Sequence, residues 1–208
     1  GATLTIEAGT TVNAADDGTT PFLAVAQGGK LMACGTADSP IIFTPIADAP
    51  SAGAWGGIIL NGYAPINTGS TAEGEGGTGT YGGSDDADNS GTMKYVRVEY
   101  AGRILGTDNE LNGFAFQGVG SGTDLAYLQA YRGADDGFEW FGGTVNAKYL
   151  VAAFCGDDLF DHDEGLRNKM QFLFGIQHPG FGNHVAEHDG APKSAVTNDP
   201  KANAVAYN

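Results

Sequence analysis

The sequence predicts an all-β fold, a right-handed parallel β-helix whose coils run to about 22 residues. Three observations support it. Short apolar and aromatic runs recur at a fixed spacing, as in solenoids. Glycine supplies 34 of 208 residues. No segment keeps a helical apolar period for more than about one turn. The glycines follow no Gly-X-Y period, so they read as the tight turns between many short strands.

Four runs overlay on one another: "YVRVEY" from Tyr95, "YLQAY" from Tyr127, "YLVAAF" from Tyr149 and "QFLFGI" from Gln171. The last three are spaced by 22, and the first gap of 32 holds a ten-residue excursion, "RILGTDNELN" at 103–112. Side chains alternate across a strand. That parity predicts inward columns of Val96, Leu128, Leu150 and Phe172, then Val98, Ala130, Ala152 and Phe174. Tyr95, Tyr127, Tyr149 and Gln171 face outward. Phe114, Phe138 and Phe160 form a second inward column. A hairpin meander would need shorter spacing and antiparallel pairing, and a βαβ fold would need amphipathic helices. Three short strands per coil fit best.

The N-terminal runs "LTIEAGTTVNA", "FLAVAQGGKLMACG", "PIIFTP" and "WGGIILNG" are short strands divided by glycine, proline and Asx turns. Residues 67–92 are low in complexity and predict a long mobile loop. Residues 176–208 show no clear coil and predict an irregular excursion. Residues 1–208 thus read as one domain with two long loop excursions. "NAVAYN" resembles a strand beginning, so the chain is expected to continue past Asn208.

With 25 Asp and Glu against 10 Lys and Arg, the net charge is −15. Such a chain lacks the basic cluster that nucleic acid or an anionic membrane requires. It attracts cations instead, and it also suits secreted proteins of saline habitats. No run of 18 apolar residues marks a transmembrane segment. Cys34 and Cys155 lie about five repeats apart and read as free, mostly buried thiols.

The densest acid repeats with the coil: "DDGFEWFGG" at 135–143 returns as "DDLFDHDEG" at 157–165. Stacked coils bring equivalent carboxylates to about 5 Å, where each pair repels by roughly 3 kcal/mol. Splaying into water, sharing protons or binding a cation would relieve this. Hard Ca²⁺ takes six to eight oxygens. Asn112, Asp135, Asp136, Asp157, Asp158 and Asp163 are its candidate ligands, and solvated turn aspartates are the competing reading. His162 shares the parity of Phe160 and reads as a hydrogen-bonded core histidine. His178, His184 and His188 stand near Glu187 and Asp189, where a transition metal is conceivable. Tyr95, Tyr127 and Tyr149 offer an aromatic strip for a sugar, or simple packing on the strand face. Glu139 and Asp161, with Lys148 or Arg132 as base, are the candidate catalytic set of a glycosidase or polysaccharide lyase.

The strings "GKLMACGTADSPIIFTP", "GAWGGIILNGYAPIN", "DNSGTMKYVRVEYAG", "NELNGFAFQGVGSGT" and "DDGFEWFGGTVNAKYLV" resemble secreted or surface lipoprotein-type β-helix proteins of Bacteroidetes and marine Gram-negative bacteria. The likeness runs over about residues 3–190, and the architecture is more remotely similar to pectate-lyase-like proteins. The resemblance implies an extracytoplasmic right-handed β-helix and carries over no catalytic residue. The expected function is a non-catalytic extracellular or cell-surface module, stiffened by Ca²⁺ and binding a glycan or a surface protein. Its open ends could join copies into a homo-oligomer or fibre. A carbohydrate-active enzyme is the alternative.

Overall fold

The central coils turn three corners, and left-handed backbone marks each of them. The computed structural model describes residues 1–15, 17–107, 109–191 and 197–207. Two parallel sheets stack along one axis as a right-handed β-helix. The larger sheet runs in the order Thr3–Ile6, Lys30–Cys34, Gly91–Glu99, Asp124–Tyr131, Ala147–Ala153, Lys169–Ile176, Val205–Tyr207. The smaller contains Leu23–Val25, Ile58–Asn61, Phe114–Gln117, Phe138–Phe141, Phe160–Asp163 and Glu187–His188. Strand Gly91–Glu99 pairs with Lys30–Cys34 along its first half and Ile41–Pro45 along its second. Strands that are separate in the early coils are therefore continuous later, bent at Tyr95.

That bend is the first corner, where Tyr95, Tyr127, Tyr149 and Phe172 have φ of 50°, 57°, 59° and 61°. Tyr100, Arg132 and Phe154 mark the second at 56°, 55° and 60°. Gly118, Gly142 and Glu164 mark the third at 56°, 62° and 51°. A left-handed L-residue costs about 1–2 kcal/mol. At the first corner the stacked rings offset this cost. Arg132 is exposed and only leans over the Tyr131 ring at 5.4 Å. Arg132→Gly is therefore expected to stabilise the domain by about 1 kcal/mol, seen as a Tm about 2–4 °C higher. An unchanged or lower Tm would mean the corner is unstrained.

The core lies on the axis. Phe114, Phe138 and Phe160 stack at centroid distances of 4.9 and 5.6 Å. Phe116, Trp140 and His162 follow at 5.5 and 5.1 Å. Val96, Leu128, Leu150, Val98, Ala130 and Ala152 close the opposite wall, all buried. His162 is buried inward as its parity predicts, and its Nδ1 lies 2.6 Å from that of His188.

The strict 22-residue period fails in the last full coil. Phe160 still pairs with Phe138, but Leu150 pairs with Leu173 and Ala152 with Gly175, so one extra residue lies between 160 and 170. A one-residue shift exchanges the faces of a strand. Phe172 consequently joins the tyrosine corner, 4.7 Å from Tyr149, and Phe174 is 58% exposed. Neither enters the core column predicted for it.

Both expected excursions contain regular structure. Ala72–Glu73 and Thr80–Tyr81 pair antiparallel around a 3₁₀ turn at Glu75–Gly77. They lie over the outer face of the smaller sheet, where Tyr81 packs with Ile59, Ile66, Ala115 and Phe141. The insertion at 103–112 folds as a hairpin of Ile104–Gly106 with Asn109–Glu110. After residue 176 the coil continues: Glu187 and His188 pair with Asp161 and His162, and Val205–Tyr207 adds to the larger sheet. Residues 192–196 and Asn208, within the predicted C-terminal excursion, lie outside the described residues. Both cysteines are free, but Cys34 is exposed where burial was expected. Among the described residues no helix is long and apolar enough to cross a membrane.

Candidate functional site

Asn112, Asp136 and Asp158 stand in the turns that lead into Phe114–Gln117, Phe138–Phe141 and Phe160–Asp163, and these turns point backbone N–H groups along the axis. Buried N–H groups need acceptors. Asn112 Oδ1 accepts the N–H of Asp136 at 3.2 Å, and Asp136 Oδ1 accepts that of Asp158 at 2.8 Å. Asp158 Oδ1 in turn accepts the His184 N–H at 2.5 Å. These four residues occupy one position on successive coils. Asn112, Asp136 and Asp158 are only 2%, 7% and 2% exposed. Each joins its coil to the next.

Beside this ladder the remaining carboxylates gather into a basin. Asp135, Asp136 and Asp157 bring oxygens within 4.8 Å of one another, and so do Asp136, Glu139 and Asp161. Asp136 belongs to both groups. Glu139 accepts from Asn112 Nδ2, while Asp161 Oδ1 is buried without a hydrogen-bond partner. Asp163 stands apart, its Oδ1 turned to the Glu164 N–H at 2.6 Å.

Of the six ligands read from sequence, the structure brings together Asp135, Asp136 and Asp157. Asn112 and Asp158 serve the ladder, while Glu139 and Asp161 complete the basin. Glu75 and Glu110 approach from the two insertions and were missed. Glu75 lies in the segment read as a mobile loop, with only the buried Tyr81 to suggest that the loop packs down.

Burial dominates the electrostatics. It pushes the Asp135 carboxyl up to about 7, assisted by the charges of Glu110 and Asp157. Burial and then Asp163 bring Asp161 to about 7. Glu75 reaches about 7 through burial and then Glu110 and Asp135. Asp136 and Glu139 are raised well above the carboxylate range, again chiefly by burial. Among the described residues no lysine or arginine forms an ion pair with Asp135, Asp136, Glu139 or Asp161. Without a cation, the basin holds protons near neutral pH.

The other sequence candidates lie elsewhere. Lys148 lines a 610 Å³ cavity with Asp124, Lys169 and Gln171 on a different face. Arg132 lines a 390 Å³ cleft with Tyr100, Phe154 and Phe181. Glu139 and Asp161 sit on adjacent rungs, in register, without either base. Tyr95, Tyr127 and Tyr149 stack face to face at 4.3 and 4.4 Å, within 3° and 4° of parallel. Their facing surfaces are occupied by one another, so the column turns ring edges outward.

A family model described as a pectate-lyase like beta helix domain matches residues 1–207. Neither the curated proteins nor the solved structures give a match. The match spans the same solenoid that the three corner columns and two stacked sheets define, and the chain belongs to the pectate-lyase-like β-helix domain family.

Proposed function

We propose that the chain is an extracellular or cell-surface binding module, of the surface-lipoprotein kind, in which Ca²⁺ in the acidic basin locks neighbouring coils together. The observation behind this reading is the pair of carboxylate triplets that share Asp136 and, among the described residues, have no cationic side chain paired to them. An all-oxygen donor set of this density matches the six to eight oxygens that Ca²⁺ prefers. A stiffened solenoid would present its outer faces to a glycan or a surface protein, and its end edges to further copies. The adjacent rungs of Glu139 and Asp161 favour one second reading, a carbohydrate-active enzyme. Sugar cleavage abolished by Glu139→Gln would establish it.

The test is thermal unfolding in millimolar Ca²⁺, in Mg²⁺ and in EDTA at matched ionic strength, for wild type and Asp136→Asn. Asparagine keeps the Oδ1 acceptor for the Asp158 N–H, as Asn112 does one coil earlier. At about 100 times its Kd, Ca²⁺ contributes about 2.7 kcal/mol, or about 5–10 °C. Asp136→Asn should be more stable than wild type in EDTA and should lose most of the Ca²⁺ shift. A wild type indifferent to Ca²⁺ would sink the proposal and leave the basin as mutual repulsion alone.

A further inference from the structure

The ladder changes chemistry at its last described rung. The position held by Asn112, Asp136 and Asp158 passes to His184, and the position held by Glu139 and Asp161 passes to Glu187. An imidazole nitrogen thus enters a column that is otherwise oxygen. His184 Nδ1 faces Asp158 Oδ1 at 3.2 Å, Asp158 Oδ2 at 3.5 Å and Glu187 Oε1 at 3.6 Å.

These separations are too long for charge-assisted hydrogen bonds, which close to about 2.7–2.9 Å. They suit ligands around a common centre. A tetrahedral ion with bonds of about 2.0–2.1 Å holds neighbouring donors about 3.3 Å apart. The three ligands are also pre-positioned. Asp158 is 2% exposed and tied to the His184 backbone, and Glu187 is registered against Asp161. The His184 side chain is 52% exposed, which leaves room for a water as fourth ligand. One nitrogen and two carboxylates are a poor set for Ca²⁺ and a good one for borderline ions, with Zn²⁺ first by geometry.

We propose that Asp158, His184 and Glu187 form a three-ligand Zn²⁺ site, separate from the all-oxygen basin, that clips the rung at 184–190 to the coil before it. In the smaller sheet that rung has two register pairs, Glu187 and His188, and backbone hydrogen bonds from Leu159 to His184 and from Gly165 to Gly190 flank them.

Zn²⁺ binding to the metal-stripped chain, held in excess Ca²⁺ to occupy the basin, decides the matter by calorimetry and by absorption after Co²⁺ loading. The expected result is one equivalent of Zn²⁺ and a tetrahedral Co²⁺ spectrum. His184→Ala keeps the backbone N–H that Asp158 accepts, so the fold is retained. It should weaken Zn²⁺ by more than the 10–100-fold typical of an outer-shell partner and abolish the Co²⁺ bands, with the Ca²⁺ response unchanged. Glu187→Gln should weaken Zn²⁺ less. His178→Ala and His188→Ala should leave the Zn²⁺ affinity and the Co²⁺ spectrum unchanged. Absence of Zn²⁺ binding, or binding that survives His184→Ala, would overturn the assignment.

Discussion

Phe138→Ala is expected to destabilise the domain by about 3–5 kcal/mol, lowering Tm by about 6–20 °C. The ring is fully buried between Phe114 at 4.9 Å and Phe160 at 5.6 Å, with Trp140 at 5.9 Å. Parallel pairing on both sides fixes its rung at the strand spacing, so neighbouring coils have little freedom to collapse into the cavity. Solenoid coils contact only their neighbours, so amide exchange should rise mainly in the coils next to the substitution. Phe174→Ala is the control. That side chain is 58% exposed, and its loss should cost under about 0.5 kcal/mol. Equal costs at the two positions would show that the strict 22-residue register is the correct one.

Raising the pH from 5 to 8 in EDTA should lower Tm by about 10 °C, with millimolar Ca²⁺ removing most of the fall. Glu75, Asp135, Asp161 and Glu164 are each pushed up to about 7 in the folded chain, burial being the largest cause at each. The unfolded chain releases these protons near pH 4. Between about pH 4 and 7 the folded state therefore binds more protons, and stability falls as pH rises. A single carboxyl moved by about three units accounts for about 4 kcal/mol, or about 8–16 °C. The charges repel one another, so the four contributions do not add. His162 acts in the opposite sense, since burial lowers its pKa to about 3 and its neutral form is favoured. It is one group against these four, with Asp136 and Glu139 raised as well. A Tm that stays flat or rises between pH 5 and 8 in EDTA would mean that the basin is better hydrated than its burial implies.

The architecture was legible because a solenoid writes the same instruction repeatedly. The Phe114, Phe138 and Phe160 column and the paired acids could be read as stacked before any contact was known. What escaped had physical causes. One extra residue between 160 and 170 moved both Phe172 and Phe174 out of the core, and a fixed period cannot register an insertion absorbed at a turn. The rung "HVAEHDG" was passed over because Val185 and Ala186 stand where Leu159 and Phe160 stand one coil earlier. Aligning His184 with Asp158, and Glu187 with Asp161, would have revealed it. The role of the ladder was hidden as well. Spacing brings Asp136 near Asp158, but only backbone geometry shows a carboxylate spent on a neighbour's N–H. The first-corner tyrosines were seen as a column, but sequence alone could not tell exposed faces from stacked ones.

The ladder gives the chain a simple route of growth. A tandem duplication of the block 136–157 would bring its own acceptor for the next coil, so the new joint would form wherever the copy was inserted. The same block carries three acids, Asp136, Glu139 and Asp157, against one base, Lys148. Every inherited copy would thus add two negative charges and increase the repulsion between neighbouring coils. Asparagine at the ladder position, as at Asn112, keeps the joint and omits the charge.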